Sequence, residues 1–519
     1  WRLALQDQRA GRLRLGAVLV KTVFLARRLR PHWRGEETVG ILAPPSAGAA
    51  LANFAAQLAG KRTVNLNYTL PPALMESCAR QAGLRVVVTS RAFLEQRPMA
   101  VPGQAVYLED LAAAPRLGEK LAALAAAWLL PAARLERWAG KEGGGRGGNE
   151  EVATILFSSG STGDPKGVML THRNIASNIE QVTQVFDLEH SDVFLGVLPL
   201  FHSFGYTMTL WLPALRGLGV VYHPDPREGK IIGKLVERHR VTFMLGVPKL
   251  LQIYMGQCAA EQFGSLRRVL VGAEKLPERV AEAFERRFGL RPIEGYGTTE
   301  CSPVIAANAP DVRGAGLYQV GAKRGSVGHP LPGMAIRIVH AETGEAVAPG
   351  ESGVLWVKGP NVMQGFLGRP EATAAVLRDG WYNTGDIVAE DEDGFLAISG
   401  RTSRFAKISG EMVPLDMLEE QLRELGGEAA DALAVASVGG EEGERLVVVH
   451  CLGEERLSAL LRGLAAAALP PGWKPKPQHF FRVEALPVLG TGKADLRGIE
   501  RLAAEMAIAA ARSARSEGA

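Results

Sequence analysis

The stretch Ser158-Ser159-Gly160-Ser161-Thr162-Gly163-Asp164-Pro165-Lys166-Gly167 decides how the rest of the sequence is interpreted. It follows the apolar run from Val152 to Phe157, which predicts a short buried strand. Three glycines, three serines and a threonine allow a tight backbone curl that aims N–H and hydroxyl donors inward, and one lysine adds a positive charge. This composition predicts a loop that wraps phosphate oxygens.

The loop is not a Walker A motif. That motif needs Gly immediately before the Lys and Ser or Thr after it, whereas Pro165 and Gly167 stand in those places. Taken alone, such a segment is more commonly a Ser/Gly surface turn than a phosphate cradle. The motifs that follow it along the chain favour the phosphate cradle.

Four further motifs occur in a fixed order: Tyr296-Gly297-Thr298-Thr299-Glu300, Tyr382-Asn383-Thr384-Gly385-Asp386, Gly400-Arg401 and Gly490-Thr491-Gly492-Lys493. Together with the first loop they resemble the adenylate-forming superfamily of acyl-CoA synthetases, luciferases and peptide-synthetase adenylation domains, from about residue 35 to about residue 500. The resemblance implies an α/β fold. Its large N-terminal domain would combine parallel-strand α/β subdomains with a small β-rich one, and a small mobile α/β lid would follow.

Length and composition agree with this organisation. A chain of 519 residues is long for one domain, so we expect a large domain over residues 1–399 and a small one over 400–519. Alternating strand and helix patterns up to about residue 300 predict parallel sheets, and short β-rich pieces follow from about 326 to 400. The net charge of +4 is small for this length and does not favour nucleic acid as a partner.

Cysteine usage and hydropathy indicate a cytoplasmic protein. Four widely spaced cysteines show no metal-ligand spacing and are interpreted as reduced thiols. No signal peptide is visible, and the apolar run from Leu121 to Ala133 is too short to span a bilayer and contains Pro131. A chain that begins at Trp1 is compatible with a piece of a longer protein.

Two N-terminal segments have helical spacing. Residues 12–30 predict an amphipathic helix with basic residues between its apolar positions, packed on the large domain. Residues 117–138 are rich in Ala and Leu and carry Trp128 and Trp138. They predict a buried or domain-capping helix, or alternatively an interfacial helix resting on lipid. Between residues 140 and 148, Gly143, Gly145 and Gly148 match G-x-G-x-x-G, but neither a strand before nor a helix after supports a dinucleotide site.

The superfamily resemblance implies roles for individual residues in binding ATP and Mg²⁺. The loop residues would hold the β- and γ-phosphates: Ser158, Ser159, Gly160, Ser161, Thr162, Gly163 and Lys166. Thr299 would hydrogen-bond the α-phosphate and Glu300 would ligate Mg²⁺. Tyr296 would stack on adenine beside Gly272, Ala273 and Glu274. Asp386 would accept the ribose hydroxyls with support from Arg401, and Lys493 would bridge the substrate carboxylate and α-phosphate. Each of these residues alone has an ordinary structural interpretation.

His202 lies in Phe201-His202-Ser203-Phe204-Gly205, which resembles the family loop that flanks the acyl pocket, although a histidine beside aromatic residues is more often structural. Amino-acid-activating relatives usually offer an aspartate to the substrate ammonium near this pocket. No acidic residue occurs between Pro199 and Thr209, which argues against an amino acid as substrate.

A closer resemblance is to the synthetase half of the bifunctional acyl-[acyl carrier protein] synthetase/2-acylglycerophosphoethanolamine acyltransferase. It is carried by Leu198–Gly205, Gly272–Leu276, Gly295–Tyr296 with Thr299–Cys301, and Arg404–Val413. In that family an acyltransferase half carries a His-x4-Asp motif, and no histidine of this sequence has an aspartate five places later. The acyltransferase would therefore be an upstream segment or a separate protein at the inner membrane, where this chain could be peripheral.

The superfamily resemblance also implies that the thiol approaches along the segment after Arg401. A glycine there would let a pantetheine arm pass close to the backbone, and Gly410 fits that role unless it is simply a bulge or turn. Arg401, Arg404 and Lys407 could meet an acidic carrier protein. Ser403 stands where the superfamily commonly has a hinge Asp or Lys, which leaves the pivot residue open.

The sequence therefore predicts an ATP- and Mg²⁺-dependent fatty acid–[acyl carrier protein] ligase that supplies acyl groups for lysophospholipid reacylation. A long-chain fatty acyl-CoA ligase is the alternative enzyme. A non-catalytic nucleotide-binding membrane scaffold is the alternative from another class, and it predicts loss of Glu300, Asp386, Arg401 or Lys493, all of which are present.

Overall fold

A computed structural model describes residues 3–141, 148–158, 165–408, 411–426, 432–440, 443–467, 469, 471–488 and 494–517. The predicted site residues Ser159, Gly160, Ser161, Thr162, Gly163, Gly410 and Lys493 lie outside these ranges, as do Gly143 and Gly145 of the glycine-rich loop. The side chains of Ser403 and Lys407 are also outside the description.

The strands follow one another along the chain as β1 (Leu3–Asp7), β2 (Gly11–Arg14), β3 (Thr38–Leu42), β4 (Arg62–Asn65), β5 (Val86–Thr89), β6 (Gln104–Tyr107), β7 (Val152–Ser158), β8 (Lys166–Thr171), β9 (Val193–Gly196), β10 (Gly219–Tyr222), β11 (Phe243–Gly246), β12 (Arg268–Val271), β13 (Ile293–Gly297), β14 (Val304–Ala307), β15 (Val312–Gly314), β16 (Leu317–Gln319), β17 (His329–Pro330), β18 (Ala335–Val339), β19 (Gly353–Lys358), β20 (Gly365–Phe366), β21 (Leu377–Arg378), β22 (Trp381–Glu390), β23 (Leu396–Arg401), β24 (Phe405–Ile408), β25 (Glu411–Pro414), β26 (Leu433–Gly440), β27 (Gly443–His450) and β28 (Phe480–Arg482).

The α-helices are α1 (Leu15–Leu29), α2 (Ala47–Leu58), α3 (Pro72–Gln81), α4 (Arg91–Gln96), α5 (Leu108–Ala112), α6 (Leu117–Leu129), α7 (Ala132–Ala139), α8 (His172–Val185), α9 (Ser203–Gly205), α10 (Leu212–Arg216), α11 (Gly229–His239), α12 (Pro248–Gln257), α13 (Glu278–Phe288), α14 (Pro370–Val376), α15 (Leu415–Gly426), α16 (Glu454–Ala466) and α17 (Leu496–Glu517). A π-helical segment, Tyr206–Trp211, joins α9 to α10. Single 3-10 turns occupy Ala260–Phe263, Thr299–Cys301, Thr402–Arg404, Pro471–Trp473 and Pro477–His479.

Two large sheets confirm the predicted α/β class. One has the order β17-β14-β13-β12-β11-β9-β10-β1-β2, in which the run from β13 to β1 is parallel. The other has the order β20-β8-β7-β4-β3-β5-β6, and its strands from β7 to β6 are parallel. All four residues of β5, β10 and β11 are buried, as continuous apolar strands covered on both faces should be.

The smaller sheets belong to the later part of the chain. β18, β19, β22 and β21 form one sheet in that order, with β23 paired to β22. The hairpins β15–β16 and β24–β25 stand as separate two-stranded sheets, and β26, β27 and β28 form a three-stranded one. The predicted β-rich texture between residues 326 and 400 is thus confirmed.

Residue contacts divide the chain into two compact units. The first comprises residues 1–336, 357–383 and 393–396, and the second comprises residues 337–356, 384–392 and 397–519. The boundary near residue 400 that the sequence suggested stays a prediction. Among the described residues no helix is both long enough and apolar enough to cross a bilayer.

The second unit has its own core, built on the period-two alternation of β26 and β27. Leu433, Val435 and Val448 face a cluster with Leu418 of α15 and Leu460 of α16. The intervening residues Ala434, Ala436 and Val447 face a second cluster with Ile499 and Ala503 of α17. Helices therefore cover both faces of this small sheet.

The N-terminal segments depart from the prediction in two ways. The helix expected over residues 12–30 begins only at Leu15, because β1 and β2 form a hairpin before it. The single helix expected over residues 117–138 is two helices, α6 and α7, separated at Pro131. Proline lacks a backbone N–H and restricts the residue before it, so a continuous helix is interrupted there.

Candidate active site

The predicted phosphate loop is held by a β-hairpin. β7 and β8 pair antiparallel over their length, and the last pair in register is Ser158 opposite Lys166. The Lys166 ammonium lies 5.2 Å from the centre of the Phe366 ring. A Cβ on Gly167 would come within 2.9 Å of Ile155 Cγ2, so a side chain there would disturb the packing beneath the hairpin. Both described ends of the loop are therefore fixed by sheet pairing.

The segment 361–367 ties this hairpin to the Thr299–Cys301 turn. The backbone N–H of Met363 donates to the Glu300 carbonyl at 2.7 Å, and that of Gln364 donates to the Met169 carbonyl at 3.0 Å. The Asn361 side chain donates to the Cys301 carbonyl at 2.8 Å, and β8 itself contacts the turn. Lys166 and Glu300 are thus parts of one hydrogen-bonded framework, which the sequence motifs alone did not reveal.

The turn that carries Thr299 and Glu300 follows β13 directly. A Cβ on Gly297 would lie 2.0 Å from the Pro303 carbonyl oxygen, so only glycine permits the close return of the chain at this point. The N–H of Thr298 donates to that same carbonyl at 3.0 Å. The hydroxyl of Thr298 is buried and has no hydrogen-bond partner among the described residues. An unsatisfied buried hydroxyl beside the motif is suited to a ligand that supplies a partner.

The predicted adenine-binding residues lie on the neighbouring strands β12 and β13. Gly272 follows β12, and a Cβ there would be 3.4 Å from the Gly295 carbonyl and 3.6 Å from the Phe204 ring. Ala273 adopts a left-handed conformation with φ of +69°, and Glu274 is exposed. Tyr296 is buried within β13. Parallel strands end at one sheet edge, and that edge brings Gly272 next to Gly295.

His202 lies at the same edge, in the loop that begins α9. Its neighbour Ser203 donates from Oγ to the Thr299 hydroxyl at 3.4 Å, which joins the predicted acyl-pocket loop to the predicted phosphate-contacting turn. The His202 ring lies 4.7 Å from that of Phe201, which in turn packs edge-on against Tyr68 at 4.9 Å. The π-helical turns at Tyr206–Trp211 follow, a feature often found at functional sites. The sequence motifs did not assign a role to Ser203, which contacts Thr299, or to Phe204, which lies beside Gly272.

Asp386 and Arg401 come together within the second unit. Nε of Arg401 donates to Oδ1 of Asp386 at 2.7 Å. The Thr384 hydroxyl accepts from the Asp386 N–H at 3.1 Å and donates to the Leu355 carbonyl at 2.9 Å. Gly385 between them has φ of +72°, a conformation that favours glycine. These contacts orient the Asp386 carboxylate.

Arg404 has a structural position that overturns one prediction. Its side chain is only 7% exposed, and it donates to Glu419 at 2.9 Å and to the Val435 carbonyl at 2.8 Å. It also pairs with Asp416 at 3.1 Å, and burial raises the pKa of that carboxyl. Arg404 therefore joins β26 to α15. The prediction that it meets a carrier protein is wrong, because its side chain is buried. Arg401 remains exposed enough for such contact.

A magnesium ion that binds together with ATP needs only one or two carboxylates from the protein. Among the parts of the chain that the structure describes, no cluster of three or more His, Cys, Asp or Glu side chains is placed to bind an ion. A partly exposed Glu300, joined to the hairpin that carries the predicted phosphate loop, fits Mg²⁺, since this ion usually keeps several waters and binds through one or two carboxylates together with substrate phosphates.

Comparisons with known proteins show the family of the chain. The family described as AMP-binding enzyme matches residues 17–367. A long-chain-fatty-acid–CoA ligase of Bacillus subtilis is 36% identical over 66% of this chain, and the match spans only 60% of that ligase. A feruloyl-CoA synthase of Amycolatopsis is 35% identical over 73% of this chain and 76% of its own length.

A solved structure shows the same fold. The o-succinylbenzoate–CoA synthetase of Bacillus subtilis, in complex with ATP and magnesium ion, superimposes with a TM-score of 0.76 over 95% of each chain at 24% identity. The predicted adenylate-forming α/β architecture is therefore confirmed over nearly the whole length.

Proposed function

The chain belongs to the AMP-binding enzyme family, and we propose that it is an AMP-forming acid–thiol ligase whose acid is a fatty acid and whose acceptor is coenzyme A. The evidence for a fatty acid as the substrate is the loop from Pro199 to Thr209. It touches Thr299 through Ser203 and contributes aromatic and neutral side chains, with His202 as its one ionisable group other than tyrosine. An apolar chain suits such surroundings better than a charged substrate.

In this proposal the first step joins acid and nucleotide. A carboxylate oxygen attacks the α-phosphorus of ATP, the bond to the β-phosphate oxygen breaks, and pyrophosphate leaves. Lys166 and the hydroxyl-rich loop that starts at Ser158 hold the β- and γ-phosphates, and Thr299 hydrogen-bonds the α-phosphate. A magnesium ion at Glu300 neutralises phosphate charge when bound. Catalysis then consists mainly of positioning and electrostatic stabilisation.

The remaining residues hold the nucleoside and complete the reaction. Tyr296, Gly272, Ala273 and Glu274 bind adenine, Asp386 accepts from the ribose hydroxyls, and Arg401 orients Asp386. Lys493 bridges carboxylate and α-phosphate in the first step. In the second step the thiol sulfur attacks the acyl carbonyl carbon, the bond to AMP breaks, and the thiol loses its proton. Gly410 gives the pantetheine arm room to approach.

A second acceptor, the phosphopantetheine of acyl carrier protein, is favoured by one observation. The segments Leu198–Gly205, Gly272–Leu276 and Arg404–Val413 resemble the acyl-[acyl carrier protein] synthetase family. Such an enzyme would work with a lysophospholipid acyltransferase. The burial of Arg404 removes one of the cations that would attract an acidic carrier, and the similarity to CoA ligases favours coenzyme A.

A single assay tests these alternatives. Purified protein is incubated with ATP, Mg²⁺ and palmitate or ferulate, with coenzyme A or acyl carrier protein as acceptor, and AMP and thioester are measured. The proposal predicts palmitoyl-CoA as the main product. Thioester on the carrier alone would favour the second acceptor, and product from ferulate alone would refute a fatty acid. If neither acid supports pyrophosphate exchange, the ligase proposal for these acids is wrong.

A further inference from the structure

Helix α6 is packed the opposite way from an ordinary surface helix. Its buried residues are the small Ala123 and Ala126, which contact a cluster that includes Val23 of α1. Its large residues face outward: Leu117, Leu121, Leu124 and Trp128 are between 46% and 72% exposed. A helix in a globular protein normally buries its leucines and exposes its alanines. The segment therefore contacts α1 through its alanines, as a domain-capping helix would, while its large residues are not buried.

Four of the five exposed large residues of α6 lie on one stripe, and Leu129, the last residue of the helix and 77% exposed, lies outside it. Spacings of four, three and four residues keep these four within an arc of roughly 60° on a helix that turns about 100° per residue. Ala123 and Ala126 lie on the opposite side of the same helix. The stripe is thus a regular apolar face directed away from the protein, and no scattered exposure of single leucines would produce it.

Helix α1 extends this face. A Cβ on Gly16 would lie 3.2 Å from Cζ2 of Trp128, so the indole covers the start of α1. Leu15 and Leu19 of α1 are also exposed large hydrophobic residues. We define the α1–α6 apolar surface as Leu15, Leu19, Leu117, Leu121, Leu124 and Trp128.

Positive charge is concentrated in the segment that contains α1. Residues 9–34 contain eight Arg or Lys and no Asp or Glu. Arg12 and Arg14 are exposed directly before α1, Lys21 is exposed on α1, and Lys120 is exposed on α6. Leucines and a tryptophan combined with a basic surround are typical of helices that lie in the interface of an anionic bilayer.

We propose that the α1–α6 apolar surface docks the protein peripherally on anionic phospholipid bilayers, with Trp128 at the level of the headgroups. Tryptophan is suited to this position because one part of its ring system is apolar and its N–H needs a polar partner. The surface lies entirely in the first compact unit. The proposal does not depend on which acid or thiol the enzyme uses.

A second copy of the chain fits this surface less well than lipid. In a two-fold dimer the same patch meets itself, so the basic residues around one apolar stripe would lie against the basic surround of the other. Like charges placed opposite one another at a contact oppose association. Anionic headgroups instead offer the complementary charge.

Vesicle flotation tests the proposal with a matched pair of variants. Leu121→Ser/Trp128→Ser removes two members of the stripe, whereas Leu317→Ser/Tyr318→Ser removes two equally exposed residues from the hairpin β15–β16. We expect the wild type to float with vesicles of equimolar phosphatidylcholine and phosphatidylglycerol. The vesicle partition coefficient of the first variant should fall about tenfold or more, because less apolar surface is buried in the bilayer. That of the second variant should equal the wild-type value.

Charge reversal and added salt test the electrostatic part of the proposal independently. Arg12→Glu/Lys120→Glu should weaken binding to the anionic vesicles, and added salt should weaken wild-type binding. The proposal is overturned if the stripe and hairpin variants bind equally, or if pure phosphatidylcholine vesicles bind as well as anionic ones. It is also overturned if sedimentation shows a wild-type dimer that Leu121→Ser/Trp128→Ser dissociates, since the surface would then be a self-association interface. Circular dichroism and pyrophosphate exchange establish that each variant is folded.

Discussion

Arg401 donates from Nε to Oδ1 of Asp386 at 2.7 Å, yet the carboxylate is only 3% exposed while the guanidinium is 60% exposed. The arrangement holds a buried carboxylate in one orientation through a cation that still reaches solvent. The exposed part of the Arg401 guanidinium can therefore contact a ligand while its Nε stays hydrogen-bonded to Asp386. This geometry supports the proposed pair of roles, in which Asp386 binds ribose and Arg401 positions it.

Asp386→Asn should raise KM for ATP by about tenfold to a hundredfold, because hydrogen bonds to charged groups are worth about 1.5–3 kcal/mol. The maximal rate should change less, since ribose binding is common to substrate and transition state. ATP-dependent pyrophosphate exchange measures both. Asp393→Asn is the control, because Asp393 is an exposed carboxylate paired with Lys323 at 3.1 Å. Equal effects of the two substitutions would contradict the ribose role.

His450 predicts a pH dependence of stability. Its ring is 1% exposed, and Nδ1 accepts a hydrogen bond from the Leu452 N–H at 3.2 Å. Burial and, secondarily, Arg482 lower the pKa of His450. The unfolded chain therefore takes up the proton first as pH falls, so the stability that neutral His450 contributes above its unfolded pKa is lost toward acid.

Thermal unfolding should show a lower Tm at about pH 5 than at about pH 8, with His450 responsible for part of the difference. His450→Gln should reduce the pH dependence, because its side chain does not titrate. The exposed His190→Gln should leave the slope unchanged. A pH dependence of Tm that is identical in wild type and His450→Gln would exclude His450 as the source.

Local patterns predicted those parts of the fold in which burial follows sequence period. The apolar run from Val152 to Phe157, predicted as a short buried strand, is β7 (Val152–Ser158). The hairpin β1–β2 was not predicted. Because α1 begins directly after β2, the helical pattern over residues 12–30 included most of β2 as well as α1.

Site features that rest on long-range contacts could not be found in this way. The backbone N–H of Met363 donates to the Glu300 carbonyl although the two residues are 63 positions apart, and nothing in the neighbourhood of either residue encodes that contact. Arg404 appeared to be a surface cation, whereas its partners Asp416 and Glu419 become adjacent only when α15 folds back. The inverted packing of α6 has the same origin, since a helical period identifies an apolar face without saying what covers it.

Lys166→Ala should raise KM for ATP by about tenfold, because a cation that contacts a phosphate contributes more than an ordinary hydrogen bond. Lys358→Ala is a closely matched control: the Lys358 ammonium also lies over an aromatic ring, 6.0 Å from the centre of Trp381. Loss of a cation–π contact alone costs about 0.5–1 kcal/mol at exposed sites. If both variants showed the same stability loss and the same KM, Lys166 would have a packing role only.

Glu300→Gln should raise the Mg²⁺ concentration needed for half-maximal pyrophosphate exchange and slow adenylate formation. The substitution keeps the side-chain length and the carbonyl that accepts from Met363, and it removes the charge that a hard cation requires. Titration of Mg²⁺ at fixed ATP measures the change. An unaltered magnesium dependence would refute a ligand role for Glu300.

The two half-reactions should separate in a pair of variants in the second unit. Lys493→Ala should abolish adenylate formation, because one ammonium is expected to neutralise charge where the carboxylate meets the α-phosphate, but thioester formation from preformed acyl-adenylate should survive. Gly410→Leu should give the reverse result, since added side-chain bulk would block the pantetheine arm and leave pyrophosphate exchange intact.

A control for this pair is Lys474→Ala, which removes a partly exposed lysine of the same unit that donates to the Ala465 carbonyl at 3.1 Å and should affect neither half-reaction. Both steps are measured on each protein, one by isotope exchange between pyrophosphate and ATP and the other by thioester yield from synthetic acyl-adenylate. Equal loss of both steps in Lys493→Ala would mean that the lysine acts throughout the cycle. Loss of exchange in Gly410→Leu would instead assign Gly410 to folding of the second unit, and the proposed path of the thiol would have to be abandoned.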